Sequence, residues 1–137
     1  MGTKTRSRRD AEDDPRQVVL VADDDRDLRV YVGFLMRRAG YRVLETGDGA
    51  RALKMAMTER PDLDLLDIGM PNLDGYAIGR VIKNLGDDAP TLIYITGRDS
   101  EEDRNSGLEL GAADYVTKPF DGRRLVERAQ AALAAAA

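Results

Sequence analysis

Aspartate residues concentrate in two short stretches of the sequence, each directly after an apolar run. In VVLVADDDRDLR, five apolar residues precede Asp23, Asp24 and Asp25, and in PDLDLLDIG a second apolar run ends at Asp67. Carboxylates that lie close together repel one another and raise one another's pKa unless a cation neutralises them. Such groups suit Mg²⁺, which binds one or two carboxylates together with waters and phosphate oxygens. The chemistry to consider is therefore phosphoryl transfer, in which an Asp can itself be the nucleophile.

The spacing of Asp23, Asp25 and Asp27 also fits the first half of a calcium-binding loop. Such a loop needs a glycine at its sixth position and a bidentate Glu at its twelfth. Those positions hold Leu28 and Phe34, which argues strongly against a calcium loop. A simpler function for Asp25 and Asp27 is to cap and stabilise the start of the following helix.

Short apolar runs alternate along the chain with segments in which apolar residues recur every three to four positions. This alternation predicts strands and helices in βαβ units, and hence a five-stranded parallel sheet covered by helices on both faces. Strands buried on both faces are apolar at nearly every position, as these runs are. The runs are Val18 to Ala22, Tyr41 to Leu44, Leu63 to Leu66, Thr91 to Ile95 and Ala113 to Val116.

The residues that follow the runs have the types needed for a phosphoryl-transfer site. Right-handed crossovers place the carboxyl ends of parallel strands at one edge of the sheet, where doubly wound sheets bind their ligands. Each residue alone has an ordinary explanation as a helix cap, strand residue or solvated charge. Together they predict one site with three carboxylates, a hydroxyl and an ammonium group. The residues are Asp23 and Asp24 after the first run, Asp67 after the third, Thr96 after the fourth and Lys118 after the fifth.

The composition limits the chemistry further. The 137 residues, 42% hydrophobic and 34% charged, fit one soluble domain. The absence of Cys and His excludes disulfides, thiolate and imidazole catalysis, and a phosphohistidine within the chain. The net charge of −4 argues against direct nucleic-acid binding. No apolar run is long enough to span a membrane or resembles a secretion signal, which predicts a cytoplasmic protein. Residues 1–17 are expected to form a disordered tail before a domain of residues 18–137.

Four sequence blocks resemble the receiver domain of bacterial two-component response regulators. They are VVLVADDD, PDLDLLDIGMPNLDG, LIYITGRDSEEDR and LGAADYVTKPF, in the order and at the spacing of that family. The resemblance extends from Val18 to about Leu133. It implies a flavodoxin-like, doubly wound sheet with strand order 2-1-3-4-5, and a phosphorylation-activated signalling switch rather than an enzyme.

The resemblance also implies a function for each acidic residue. Asp67 corresponds to the phosphoacceptor of the family. Asp24 is expected to bind Mg²⁺ directly, together with Asp67 and the backbone carbonyl of Gly69. Asp23 is expected to hold the ion through a water molecule.

The remaining site residues are assigned by the same resemblance. Lys118 is expected to pair with the phosphoryl oxygens, and the peptide bond before Pro119 is expected to be cis. Thr96 is expected to move toward the phosphoryl group, and Tyr115 to turn inward into the space that Thr96 leaves. In this family that movement changes the surface formed by the fourth helix, fifth strand and fifth helix.

Because the chain contains no His, its phosphoryl donor must be another molecule. The resemblance implies a sensor histidine kinase or a histidine phosphotransfer protein as the donor, and a protein as the downstream target. Arg124 stands opposite Arg104, where dimerising relatives usually carry an acidic residue, and Ala113 replaces a second acidic residue. We therefore expect a monomer or a weak, phosphorylation-dependent dimer.

Two other functions are consistent with part of the pattern. A phosphohydrolase of the haloacid dehalogenase type also uses Asp, Mg²⁺, Thr and Lys, but DLDLL has Leu66 where its Asp-x-Asp-x-Thr motif requires Thr. A receiver-like interaction module that acts without phosphorylation is the other alternative, although such modules generally lose one of the site residues. Asp64, inside the third run, receives no function, and we expect it to be a surface residue.

Overall fold

The fold is a five-stranded parallel sheet with helices on both faces. It is described here from a computed structural model, which covers residues 14–97, 105, 108–109 and 111–137. The strand order is β2-β1-β3-β4-β5, and each neighbouring pair is parallel, as the sequence predicts. The strands are β1 (Val18–Ala22), β2 (Arg42–Thr46), β3 (Leu63–Leu66), β4 (Thr91–Thr96) and β5 (Asp114–Thr117).

The α-helices in the described residues all begin with the same kind of N-cap. Each α-helix with described ends has an Asp at its N-cap, whose carboxylate accepts a hydrogen bond from a backbone amide in the first turn. Asp25 is the cap of the first helix and Asp27 lies in its first turn, as expected. The helices are α1 (Arg26–Arg38), α2 (Gly49–Thr58), α3 (Gly75–Lys83) and the last helix (Gly122–Ala136), with a short 3₁₀ turn at Gly86–Asp88.

The predicted fourth helix, between β4 and β5, falls mostly outside the described residues. Residues 105, 108 and 109 of this segment are helical. Gly40 and Gly111 have φ angles of 102° and 87°, the left-handed conformation that glycine adopts without strain. Glycine in this conformation is common directly after the end of a helix.

Two apolar layers cover the sheet. The first, which we call the aliphatic layer, packs against α1 and the last helix; the second, which we call the tyrosine layer, packs against α2 and α3. The buried members of the aliphatic layer are Val19, Val21, Val32, Met36, Leu63, Leu65, Ile93, Ile95, Val116, Leu125, Ala129 and Leu133. The buried members of the tyrosine layer are Ala22, Ala52, Ala56, Leu66, Ile68, Met70, Ile78, Ile82, Leu92, Tyr94, Ala112 and Tyr115.

Asp64 lies within β3 and is completely buried, with 0% of its surface exposed. Its partners in register are Leu20 on β1 and Leu92 on β4. The expectation of a surface residue is therefore wrong, because β3 is the central strand and helices cover both of its faces. Burial of a carboxyl group is costly unless other interactions compensate for it. Asp64 belongs to the interior of the fold and not to the edge where the strands end.

The described helices are all too short or too polar to cross a bilayer. Residues 1–13, most of the predicted disordered tail, lie outside the described residues. Within the described part of that segment, Arg16 donates hydrogen bonds to the carboxylate of Asp14.

Candidate functional site

Three carboxylates meet at the carboxyl edge of the sheet. Asp23 and Asp24 follow β1, and Asp67 follows β3, its direct neighbour in the sheet. One carboxylate oxygen from each residue lies within 4.8 Å of those of the other two. Asp23 and Asp67 are buried, whereas Asp24 is exposed. The register explains this meeting, because Ala22 pairs with Leu66 and each acidic group follows immediately.

Lys118 supplies the positive charge of the cluster. Its Nζ lies 2.8 Å from Oδ2 of Asp23 and 3.6 Å from Oδ2 of Asp67. The backbone places it there, since its amide donates a hydrogen bond to the carbonyl of Thr96, at the end of β4. The peptide bond between Lys118 and Pro119 is cis, as predicted.

The charged groups of the cluster shift one another's pKa. Burial raises the pKa of Asp67, the negative charge of Asp23 raises it further, and Lys118 partly opposes both effects. Burial by itself lowers the pKa of Lys118, but the carboxylates of Asp23 and Asp67 outweigh it and the pKa is raised. Lys118 is thus a firmly charged ammonium group, and the cluster keeps an excess of negative charge.

Asp23 is fixed in position at three points. Its Oδ1 accepts a hydrogen bond of 2.9 Å from the amide of Asp25, and its Oδ2 faces Lys118. Its backbone carbonyl accepts a hydrogen bond of 2.8 Å from Nη1 of Arg29. The ordering of Asp23 therefore depends on a residue in the first turns of α1.

Arg29 is a site residue that the sequence reasoning missed. Its guanidinium lies 3.8 Å from Glu45, which also accepts a hydrogen bond of 2.9 Å from Arg37. Gly47 leaves room for it, since a Cβ at that position would lie 2.8 Å from Nη1 of Arg29. The sequence signal that could have identified Arg29 was its position next to Leu28, at the edge of the apolar face of α1.

The other predicted site residues lie at the same edge or beside it. Thr96 is the last residue of β4 and is 3% exposed, and its partner in register is Thr117. The amide of Gly69 lies 3.4 Å from Oδ1 of Asp67. Tyr115 is 1% exposed, so its ring already points inward. The inward position is the one that the resemblance associates with the activated state.

The donor set fits a magnesium ion. Asp23, Asp24 and Asp67 offer hard oxygen ligands within a short distance of one another, and the ammonium group of Lys118 offsets only part of their negative charge. Mg²⁺ is typically held by one or two carboxylates and keeps several waters, and the exposed Asp24 leaves the cluster open to solvent. The cluster can therefore hold a divalent metal ion.

The face formed by β5 and the last helix bears on the predicted dimer. Arg124 is exposed, whereas Arg104 lies outside the described residues. Arg128 binds Asp114 within the chain, with Nε 2.7 Å from Oδ2. One acidic group of this face is thus already occupied by an arginine of the same chain, and the preference for a monomer or weak dimer stays a prediction.

Comparison with known sequences agrees with this geometry. A family model described as the response regulator receiver domain matches residues 19–130. Response regulator MprA of Mycobacterium ulcerans is 43% identical over 115 residues, which cover 84% of this chain and 49% of that protein. The alkaline phosphatase synthesis transcriptional regulatory protein PhoP of Bacillus subtilis is 41% identical over 115 residues, or 84% of this chain and 48% of that protein. The chain spans about half the length of these curated relatives.

Solved structures share the fold over nearly the whole chain. A CheY-like response regulator receiver domain protein from Methanospirillum hungatei has a TM-score of 0.82 at 26% identity, covering 88% of this chain and 96% of that one. The BeF3-activated DrrB receiver domain has a TM-score of 0.79 at 30% identity, covering 87% of this chain and 98% of that one. The predicted fold is confirmed, and the chain belongs to the response regulator receiver domain family.

Proposed function

We propose that this domain is a phosphorylation-activated switch whose phosphoacceptor is Asp67. The observation that carries the proposal is the cluster of Asp23, Asp24 and Asp67 with Lys118 at one edge of the sheet. Asp67 is the member of the cluster that combines burial at the carboxyl end of the central strand with contact to the ammonium group. A buried nucleophile with a cation beside it is suited to receive a phosphoryl group.

The reaction transfers a phosphoryl group from a phosphohistidine to the carboxylate. An Oδ of Asp67 attacks the phosphorus, a new P–O bond forms, and the P–N bond to the donor imidazole breaks. The leaving nitrogen keeps the electron pair and takes a proton from solvent. Lys118 is close enough to Asp67 to stabilise the negative charge on the equatorial phosphoryl oxygens. Arg29 contributes by ordering Asp23.

Asp24, Asp67 and the backbone carbonyl of Gly69 are the proposed direct ligands of Mg²⁺, with Asp23 acting through water. A bound Mg²⁺ neutralises carboxylate and phosphoryl charge. Without such a cation the three carboxylates oppose the arrival of a further negative group. We therefore expect phosphorylation to require the metal.

The proposed output is a change at Thr96 and Tyr115. Both side chains are buried. Thr96 is the last residue of β4, the direct neighbour of β3, so a new group on Asp67 is within reach of the strand that carries Thr96. Phosphorylation adds about 1.5 to 2 negative charges. The charge draws the Thr96 hydroxyl toward it and fixes Tyr115 inward, which alters the surface of the fourth helix, β5 and the last helix.

The family also supports proposals about partners. Response regulators receive their phosphoryl group from histidine kinases or phosphotransfer proteins, and we propose the same donor class here. The proposed target is a downstream protein in the cytoplasm. The relatives are named as regulators, which agrees with a signalling domain rather than a metabolic enzyme.

The test is the intact mass after incubation with acetyl phosphate, with and without Mg²⁺. We expect the mass of one added phosphoryl group only when Mg²⁺ is present, and none in Asp67→Asn. Asp87→Asn is the matched control, because Asp87 is an exposed carboxylate in the 3₁₀ turn before β4, at the opposite end of that strand. A folded, Mg²⁺-binding parent that gains no mass would favour the phosphorylation-independent interaction module. Labelling that persists in Asp67→Asn would overturn the assignment of Asp67.

A further inference from the structure

Tyr94 places a hydroxyl group inside the tyrosine layer. Its side chain is completely buried in β4, and its hydroxyl donates a hydrogen bond of 3.2 Å to the carbonyl of Gly75. Burial raises the pKa of Tyr94 well above its usual range, so the hydroxyl remains protonated and acts as a donor. A buried hydroxyl without an acceptor is costly, so this hydrogen bond constrains where Gly75 lies.

Gly75 is in turn packed against the loop that carries Asp67. Its amide donates a hydrogen bond of 2.9 Å to the carbonyl of Ile68. A Cβ at position 75 would lie 2.8 Å from both the carbonyl oxygen of Asp67 and the Cα of Ile68. The backbone of α3 therefore touches the Asp67 loop directly, and neither can shift without the other.

One turn later in α3, Gly79 makes room for Tyr94. A Cβ at position 79 would overlap the Tyr94 hydroxyl. Glycine inside a helix is less favourable than alanine, so Gly79 lowers the intrinsic stability of α3, whereas Gly75 is the first residue of that helix. Both lie where α3 must approach another group closely: Gly75 at the Asp67 loop and Gly79 at the Tyr94 hydroxyl.

Tyr94 also contacts the switch side chain. It is the register partner of Tyr115 on β5, and the two rings lie 6.3 Å apart at an angle of 62°. On its other side Tyr94 meets Tyr76 of α3 at 5.3 Å and 74°. Edge-to-face contacts of this kind fix the relative positions of aromatic rings.

We propose that Tyr94 is a positioning residue that couples the Asp67 loop to Tyr115, through its hydroxyl bond to Gly75 on one side and its ring contact on the other. The inference rests on the proposed function, since it concerns how a phosphoryl group on Asp67 reaches the switch. Closely packed interiors transmit small displacements because they have little free volume. A shift of the Asp67 loop moves Gly75, Gly75 moves the Tyr94 hydroxyl, and the Tyr94 ring bears on Tyr115.

The first measurement is amide hydrogen exchange of the unphosphorylated protein. Tyr94→Phe removes only the hydroxyl, and we expect the Gly75 amide to exchange roughly tenfold faster as α3 loosens from the Asp67 loop. Tyr31→Phe is the matched control, because Tyr31 is 46% exposed and lies outside both layers. An unchanged Gly75 rate in Tyr94→Phe would overturn the inference.

The second measurement follows Tyr115 during phosphorylation. The five tyrosines are labelled with 3-fluorotyrosine, and the Tyr115 signal is assigned by its loss in Tyr115→Phe. With acetyl phosphate and Mg²⁺, Tyr94→Phe is expected to gain the phosphoryl group to within about twofold of the parent. Its Tyr115 signal is expected to move less than half as far. A full Tyr115 response in phosphorylated Tyr94→Phe would overturn the coupling.

A paired substitution separates packing from coupling. Gly79→Ala alone is expected to lower the Tm, because its Cβ displaces the Tyr94 hydroxyl. Combination with Tyr94→Phe is expected to recover the Tm, since the space of the hydroxyl is then free. The double variant still lacks the bond to Gly75, so its Tyr115 response is expected to stay weak. Recovery of the response together with the Tm would show that packing alone matters and would remove Tyr94 from this function.

The two levels of failure are distinguishable. If the parent gains no phosphoryl group, the proposed function fails and the coupling fails with it, whatever the Gly75 exchange rate. If the parent is phosphorylated and Tyr94→Phe responds as the parent does, only the inference about Tyr94 fails.

Discussion

The aliphatic and tyrosine layers cover opposite faces of one sheet, yet their contents differ. The buried side chains of the aliphatic layer are Val, Leu, Ile, Ala and Met only, and none of them carries an oxygen or nitrogen. The tyrosine layer contains Tyr94 and Tyr115, and the completely buried Asp64 lies in the strand between the layers. Apolar contacts have no preferred direction, whereas hydroxyl bonds and ring contacts do. If the proposed coupling through Tyr94 holds, one layer mainly holds the fold and the other carries the signal.

The largest expected effect comes from a cavity in the aliphatic layer. Leu63 is fully buried at the start of β3, at the other end of the strand from Asp67. Leu63→Ala is expected to lower the free energy of unfolding by about 2–5 kcal/mol in urea titrations. The folded protein is expected to be phosphorylated normally. Leu108→Ala is the control, because Leu108 is 45% exposed and its loss is expected to cost no more than about 0.5 kcal/mol.

A different result would weaken the comparison. If folded Leu63→Ala had lost phosphoryl uptake or the Tyr115 response, the aliphatic layer would also transmit the signal. A stability loss below about 1 kcal/mol would mean that the layer repacks around the missing side chain.

The next effect is stabilisation by Mg²⁺ at the carboxyl edge. A ligand that binds only the folded state stabilises it by about 2.7 kcal/mol at a hundred times its Kd. We expect the Tm of the parent to rise with Mg²⁺ and the rise to be much smaller in Asp24→Asn. Leu63→Ala and the control Asp87→Asn are expected to show the same rise in Tm with Mg²⁺ as the parent. An equal rise in Asp24→Asn would remove Asp24 from the ligand set.

The sequence predicted the parts of this molecule that depend on position along the chain. The apolar runs located the strands, with ends that differ from the structure by no more than two residues. The parallel topology then placed Asp67 and Lys118 at one edge without any knowledge of their contacts. Helix capping by Asp25 followed from residue type alone.

What the sequence did not predict depends on contacts between distant elements. Tyr94 looked like any apolar strand residue, because periodicity does not reveal that its hydroxyl faces Gly75 and Gly79 across a layer. Arg29 received no function from the sequence, because its bond to the Asp23 carbonyl depends on how α1 lies against the end of β1. Asp64 was expected at the surface because charged side chains are usually exposed.

The protonation of Asp67 gives a prediction with a definite sign. Burial and the charge of Asp23 raise the pKa of Asp67 above its ordinary value of 3.8. The contribution of such a group to stability is present at low pH and is lost as the pH rises through the folded-state pKa. Without Mg²⁺, Asp67→Asn is therefore expected to gain stability relative to the parent as the pH rises above about 4. Chemical unfolding in EDTA at several pH values measures this difference in stability between Asp67→Asn and the parent.

A constant difference between Asp67→Asn and the parent would contradict the raised pKa. A difference that fell with rising pH would mean that attraction to Lys118 exceeds the effects of burial and repulsion. The control is Asp87→Asn, the same chemical change at an exposed position in the 3₁₀ turn before β4.

The smallest expected effect concerns Arg128, whose side chain connects the last helix to β5. It lies on the last helix, over the aliphatic layer, and binds both the Asp114 carboxylate and the carbonyl of Tyr115 on β5. The pair is partly exposed, so Arg128→Ala is expected to cost about 0.2–1 kcal/mol, and less at high salt. Arg123→Ala, on the exposed side of the same helix, is the control.

The informative readout of Arg128→Ala is the fluorotyrosine signal of Tyr115 rather than the small loss of stability. If the signal is carried within the tyrosine layer, removal of a bond from the opposite helix leaves the phosphorylation-induced change in the Tyr115 signal as in the parent. A clearly smaller change, with phosphoryl uptake intact, would mean that the last helix holds β5 in the position from which Tyr115 responds. The division into a structural and a signalling layer would then be wrong at its boundary, because the backbone of β5 belongs to both.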